Sequence, residues 1–293
     1  MNFNGYDVEQ RHNYIIIKNL SSFNLKDIFE CGQAFRWRKN LDNTYTLIAK
    51  DRVIKLKHEN DKLKIFNSNI EDFKNIWYEY FDLETSYEDI KSKLKKDDIM
   101  AKALKHGEGI RILNQDFWEM IISFIISANN RIPMIMKVIN EISKKFGEKI
   151  MFDEEVFYTF PTTEKLSNAK LEDFKLCKAG YRSSYILDTA KKINEGFLRK
   201  EDLVRLSTKD AQKSLKRLMG VGPKVADCIL LFSGIKKNIF PTDVWIKRIV
   251  EVLYFEREAS LKEINNFAEE YYGDISGLAQ QYLFYYAREN KII

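Results

Sequence analysis

Cysteine, histidine and proline are scarce in this sequence, and none is arranged for the work it usually does. The three cysteines, Cys31, Cys177 and Cys228, are scattered over 293 residues, which rules out a disulfide framework. The three histidines, His12, His58 and His106, form no H-x3-H pair, and there is no C-x-x-C. The clustered ligands of a zinc or four-cysteine iron–sulfur site are therefore missing, and neither a metal nor a cofactor is expected. The longest nearly apolar run, Met120 to Ala128, is far shorter than the ~20 residues a membrane span needs. No basic-then-apolar segment opens the chain. A soluble protein of a reducing cytoplasm is the expectation, with no membrane contact.

What is present is enough apolar material, 45% of residues, to fill one large or two modest cores. The formal net charge is only +5, but it is unevenly placed. Between Arg205 and Val250 ten Lys/Arg face three Asp, a local +7, so the rest of the chain is net acidic. Such a segment suits an anionic ligand, although charge on helices is commonly just a solvated face.

The first third reads as strands. Asn13–Lys18, Thr44–Ala49, Val53–Lys57 and Lys62–Phe66 are separated by Asp/Asn/Lys turn residues, and the last two alternate apolar and polar, as antiparallel strands with one wet face do. From Ile70 the spacing changes: Ile70, Phe73, Ile76, Trp77, Tyr80 and Phe81 recur with helical period. The remaining two-thirds read as helices over 116–127, 133–146, 185–195, 211–218, 223–232, 244–255, 261–272 and 278–290. The expected fold is α+β: an N-terminal antiparallel β-sheet domain over 1–86, then a larger all-helical domain over 87–293.

The sharpest segment is Leu218-Met-Gly-Val-Gly-Pro-Lys224. Gly220 and Gly222 bracket Val221 between two helical stretches, so the backbone can turn tightly with its amides unshielded. Pro223 suits the first position of the second helix, whose free N–H groups and dipole favour an anion. This is a helix-hairpin-helix pattern. A G-x-G between helices is more often a structural turn than a phosphate site, but Lys213, Lys216, Arg217, Lys236 and Lys247 around it favour a nucleic-acid backbone. Lys224 falls in the first turn of that helix, where a cation is disfavoured; this predicts a lowered amine pKa and a nucleophile for electrophilic carbon, with a simple phosphate contact as the plainer reading. Cys228 projects from the same face one turn on. Nineteen residues beyond Lys224, Asp243 precedes an amphipathic helix, as an N-cap, as a carboxylate to stabilise a developing oxocarbenium ion, or as both.

Gly220-Val-Gly-Pro-Lys224 followed by Pro241-Thr-Asp243 resembles the HhH-GPD superfamily of base-excision DNA glycosylases. Within it, Cys31-Gly-Gln-Ala-Phe-Arg-Trp37, Gln115-Asp116, Ser123 to Asn130, Gly180-Tyr-Arg182, Lys224 to Cys228 and Gly277 to Phe284 stand in the order found in 8-oxoguanine DNA glycosylase/AP lyases. The resemblance covers roughly residues 31 to 290. It implies a bifunctional enzyme that excises 8-oxoguanine from double-stranded DNA and cleaves the strand by β-elimination, needing no cofactor and acting as a monomer at the nucleoid.

By the same resemblance Lys224 is the Schiff-base nucleophile and Asp243 its partner. The Gly32 carbonyl would accept the N7–H that only the oxidised guanine has, Cys228 and Phe284 would sandwich the base, and Gln280 would read its Watson–Crick edge, the helix over 278–290 contributing to this pocket. Asn129, Tyr181 and Arg182 would fill the hole left by the extruded base and contact the opposite cytosine, while Gly220, Val221, Gly222, Trp245 and Lys247 would meet the DNA backbone. Two positions depart from the animal enzymes. Met134 stands where they have an arginine that reads the opposite cytosine, and Trp245 where they have a histidine. Two other readings remain: a related glycosylase for another lesion, whose branches usually carry an iron–sulfur cluster, and a non-enzymatic helix-hairpin-helix DNA-binding protein, which has no use for Lys224 and Asp243 at this separation.

Overall fold

The computed structural model describes residues 1–292. Seven antiparallel strands form one sheet in the order β1-β2-β3-β7-β6-β5-β4, with β1 Asn2–Phe3, β2 Tyr6–Gln10, β3 Tyr14–Lys18, β4 Trp37–Lys39, β5 Tyr45–Ala49, β6 Arg52–Glu59 and β7 Lys62–Phe66. Register follows the apolar alternation: Ile15 and Leu56 both face Ile65, one from each flanking strand. That places Ile15, Ile17, Leu56, Leu63 and Ile65 on one buried face, against Phe29, Phe73 and Trp77. The expected strands and the helical turn after Ile70 are therefore present, the latter with a π-helical stretch at Phe73–Trp77.

The rest of the chain is mostly helical, as expected, with one correction: Lys149–Phe152 (β8) and Glu155–Tyr158 (β9) form a separate two-stranded hairpin, so this part is not all-helical. Its strands are only four residues long and its turn, Asp153-Glu154, has positive φ at both positions, a signal too short to stand out among helices. Short helices at Tyr87–Leu94 and Asp98–His106 also escaped the periodicity; each starts from a side-chain cap, Ser86 and Asp97, rather than from a long apolar stripe.

Two cores result, and the chain crosses between them twice, once beside Gly32 and once at Leu113. Cys31 and Phe35 pack into the helical core although the strands on either side belong to the sheet, while Leu113 packs into the sheet core from the segment before the helix Phe117–Ser127. The junction is pinned by polar contacts. Buried Arg111 donates to the carbonyls of Ser21, Ser22 and Asp82, and Lys237 bridges to the Asp82 carboxylate at 2.9 Å.

Candidate active site

The hairpin is built as its glycines require. The helix Thr208–Leu215 is followed by a turn and then the helix Pro223–Phe232. Gly220 has φ +82°, and a Cβ there would fall 2.6 Å from the Tyr185 ring, so glycine is needed twice over. Gly222 is different. It is the exposed N-cap, with open space where a Cβ would stand, so packing does not demand its small size. Val221 points inward and is buried, anchoring the turn from below.

Eight of the ten residues in Pro223–Phe232 are buried, which holds the helix rigidly and leaves Lys224, near its start, half-buried. The Lys224 ammonium lies 5.5 Å from the centroid of the Phe124 ring. Asp243 caps the helix Val244–Val250, its Oδ1 accepting from the amides of Trp245 at 3.0 Å and Ile246 at 2.9 Å. A cavity of about 520 Å³ brings Lys224 and Asp243 together with Gly32, Trp245 and Phe284. Gly32 has φ +90°, and its missing side chain would point to the Phe284 ring, 3.5 Å away.

The Lys224 pKa shift runs opposite to the direction expected from the helix start. Burial does push the Lys224 ammonium pKa down, but Cys228, Asp243 and Asp227 act against it, and the net shift is upward. The helix start alone does not decide it, because these partners converge on the amine only in the folded chain. Burial pushes the Cys228 thiol up to about 11, against the pull of Lys224. The Asp227 carboxyl likewise rises to about 7 by burial, although Gln212 donates to it at 2.6 Å.

Not every expected residue reaches the cavity. Cys228 and Gln280 are buried beside it without lining it, and the Gln280 Oε1 has no hydrogen-bond partner among the described residues. Asn129, with φ +50°, and Tyr181 are exposed on the neighbouring rim. Arg182 is buried and turned inward onto the Ala128 and Asn129 carbonyls. Met134 is exposed in the first turn of the helix Ile132–Phe146, outside the cavity. Lys247 is engaged in an ion pair with Glu251. Conversely, Arg131 and Arg288 line the cavity although the sequence reading did not single them out. Arg288 could have been noticed one helical turn after Phe284; nothing local marked Arg131.

Comparison with known proteins gives the chain a family. Residues 122–273 match the model of the HhH-GPD superfamily base excision DNA repair proteins, and residues 15–121 that of the 8-oxoguanine DNA glycosylase N-terminal domain. A Clostridium acetobutylicum 8-oxoguanine glycosylase/lyase, solved with double-stranded DNA containing cytosine opposite 8-oxoG, is 47% identical, with a TM-score of 0.95, over 98% of this chain and 99% of that one. Among curated proteins, the probable N-glycosylase/DNA lyase of Methanothermobacter thermautotrophicus is 33% identical over 73% of this chain and 74% of its own length. The N-glycosylase/DNA lyase of Saccharomyces cerevisiae is 31% identical over 80% and 69%.

Proposed function

The chain belongs to the HhH-GPD superfamily of base excision DNA repair proteins, in the branch that carries the 8-oxoguanine glycosylase N-terminal domain, and from that membership we propose how its residues excise 8-oxoguanine from duplex DNA and cleave the strand. The observation that carries the reading is the shared cavity of Lys224, Asp243, Gly32 and Phe284. A base inside a duplex exposes neither C1′ nor its edges, so the lesion must be extruded into such a cavity.

In this reading the Lys224 ammonium gives a proton to water, the amine attacks C1′, and the electron pair of the glycosidic bond leaves with the base, which takes up a proton from water. Asp243, held in place by two amides, stabilises the positive charge developing on the sugar. Opening of the ring C–O bond gives the imine. Loss of a C2′ proton then expels the 3′ phosphate. Gly32 selects the base: its carbonyl accepts the N7–H of 8-oxoguanine, whereas guanine presents a lone pair there, an unpaired arrangement costing ~1–3 kcal/mol. Phe284 stacks on the base, Cys228, one turn beyond Lys224, is assigned its other face, and Gln280, whose Oε1 is unpartnered among the described residues, its edge.

Gly220 and Gly222 present the hairpin amides to phosphate, and Val221 between them, its own N–H donating to the Leu218 carbonyl, holds the turn that aims them. Lys247 and Trp245 meet the backbone beside them, and Asn129, Tyr181 and Arg182 serve the opposite strand. The division at residues 1–86 and 87–293 fits these duties, the first part supplying Gly32 and the second the remaining groups. No helix among the described residues is long and apolar enough to cross a membrane. The proposed setting is genomic DNA in the cytoplasm, met by a single copy of the chain.

Borohydride trapping tests the chemistry. The native protein should become covalently attached to 8-oxoguanine duplex, Lys224→Gln should abolish attachment while still binding the lesion, and Asp243→Asn should slow single-turnover excision by orders of magnitude. Cross-links that persist in Lys224→Gln would refute the assignment of the nucleophile.

A further inference from the structure

Residues 30–33 present four consecutive carbonyls at the junction of the two cores, and side chains from remote parts of the chain occupy three of them. The Glu30 carbonyl accepts from the Arg288 guanidinium. Cys31 accepts from Gln281 Nε2 at 2.7 Å, and Gln33 accepts from Gln115 Nε2 at 2.8 Å. Gly32, between them, is the carbonyl left without an intramolecular donor among the described residues.

The two glutamine donors, unlike the partly exposed Arg288, are not solvated side chains that happen to reach. Gln115 and Gln281 are 4% and 2% exposed, and Gln33 beside them 0%, and the large majority of such buried side-chain amides are hydrogen-bonded. Gln33 commits its own side chain to the same end: Nε2 donates to Ile28 at 2.9 Å and Arg111 at 2.7 Å, and Oε1 accepts from the Leu113 amide at 2.8 Å. Gln115 also ties the loop to the catalytic helix, because its backbone N–H donates to the Phe232 carbonyl at 2.9 Å, the last residue of the helix that carries Lys224. Gln281 comes from the helix Ser276–Glu289, which also bears Phe284. The loop is thus referenced both to the nucleophile and to the stacking platform.

We propose that Gln115 and Gln281 are positioning residues for lesion recognition: by saturating the carbonyls on either side of Gly32 they fix the peptide plane so that its carbonyl alone is offered to the base. The proposal rests on the reading of Gly32 as the N7–H acceptor. A hydrogen bond to one N–H is directional, and a loop with a glycine at positive φ has the freedom to turn that carbonyl aside unless its neighbours are held.

The test measures two single-turnover reactions on the same protein samples: excision of 8-oxoguanine from duplex DNA, and β-elimination at a preformed abasic site, which requires Lys224 but no base reader. In Gln281→Leu and Gln115→Leu the excision rate should fall about tenfold more than the abasic-site rate, the size expected for a misaligned hydrogen bond. Gln281→Glu keeps the shape but sets a carboxylate against the Cys31 carbonyl, and at pH 8 should be as selective in its defect as Gln281→Leu. Equal loss of both reactions would make the glutamines merely structural and overturn the proposal, as would full excision in all three variants. A native protein that cleaves abasic DNA yet leaves 8-oxoguanine in place would instead overturn the functional reading beneath it.

Discussion

Arg182 donates through Nε to the Ala128 carbonyl at 3.0 Å and through Nη2 to the Asn129 carbonyl at 3.0 Å. Its guanidinium also lies 4.5 Å from the centroid of the Tyr181 ring. The side chain proposed for the opposite cytosine is therefore, without DNA, the clasp of the turn that holds Asn129 at positive φ.

Removing that clasp should cost stability as well as specificity. Arg182→Ala leaves two carbonyls without their charged donor, and unfolding in urea should show a loss of ~1–3 kcal/mol. Arg182→Lys, with one donor group in place of the fork, should fall between. An unchanged urea midpoint in Arg182→Ala would mean that the turn holds itself.

The buried Asp227 carboxyl gives a pH-dependent prediction. Its pKa is raised by burial to about 7 in the fold, from an ordinary 3.8. The folded protein therefore holds this proton more tightly than the unfolded chain, and the carboxyl's contribution to stability declines as pH rises from about 4 to 7. Asp227→Asn can still accept from Gln212 and never ionises. It should melt higher than the native protein at pH 8, and the gain should shrink steadily toward pH 4. A gain that is the same at both pH values would show that ionisation of Asp227 is not its source.

Met134 is 44% exposed beside the rim that carries Asn129, and a thioether offers a cytosine edge none of the charge-assisted bonds an arginine would. Since a bidentate contact discriminates by about 1–3 kcal/mol, excision of 8-oxoguanine opposite A, G or T should suffer a smaller penalty in the native protein than in Met134→Arg. Single-turnover rates on four duplexes differing in the opposite base decide it. Strong rejection of non-cytosine partners by the native chain, or an identical ranking in the variant, would assign opposite-strand reading elsewhere.

The features that the sequence determined by itself are those whose physics is local. The hairpin turn needs φ values that only Gly220 adopts without strain, Pro223 starts a helix, and Asp243 caps one; each depends on a few consecutive residues, so each was legible before folding was considered. The strand pairs of Val53–Phe66 were legible for the same reason, since alternation is written along the chain. Tertiary structure decided what depends on distant groups. The direction of the Lys224 shift follows from a contest between burial and the three groups at 227, 228 and 243. Likewise Gln281 reads in sequence as an ordinary helix residue, and only the fold brings it to a carbonyl 250 positions away. Desolvation and Coulomb energies are sums over whatever the fold brings near, and a sequence motif names only its own neighbours.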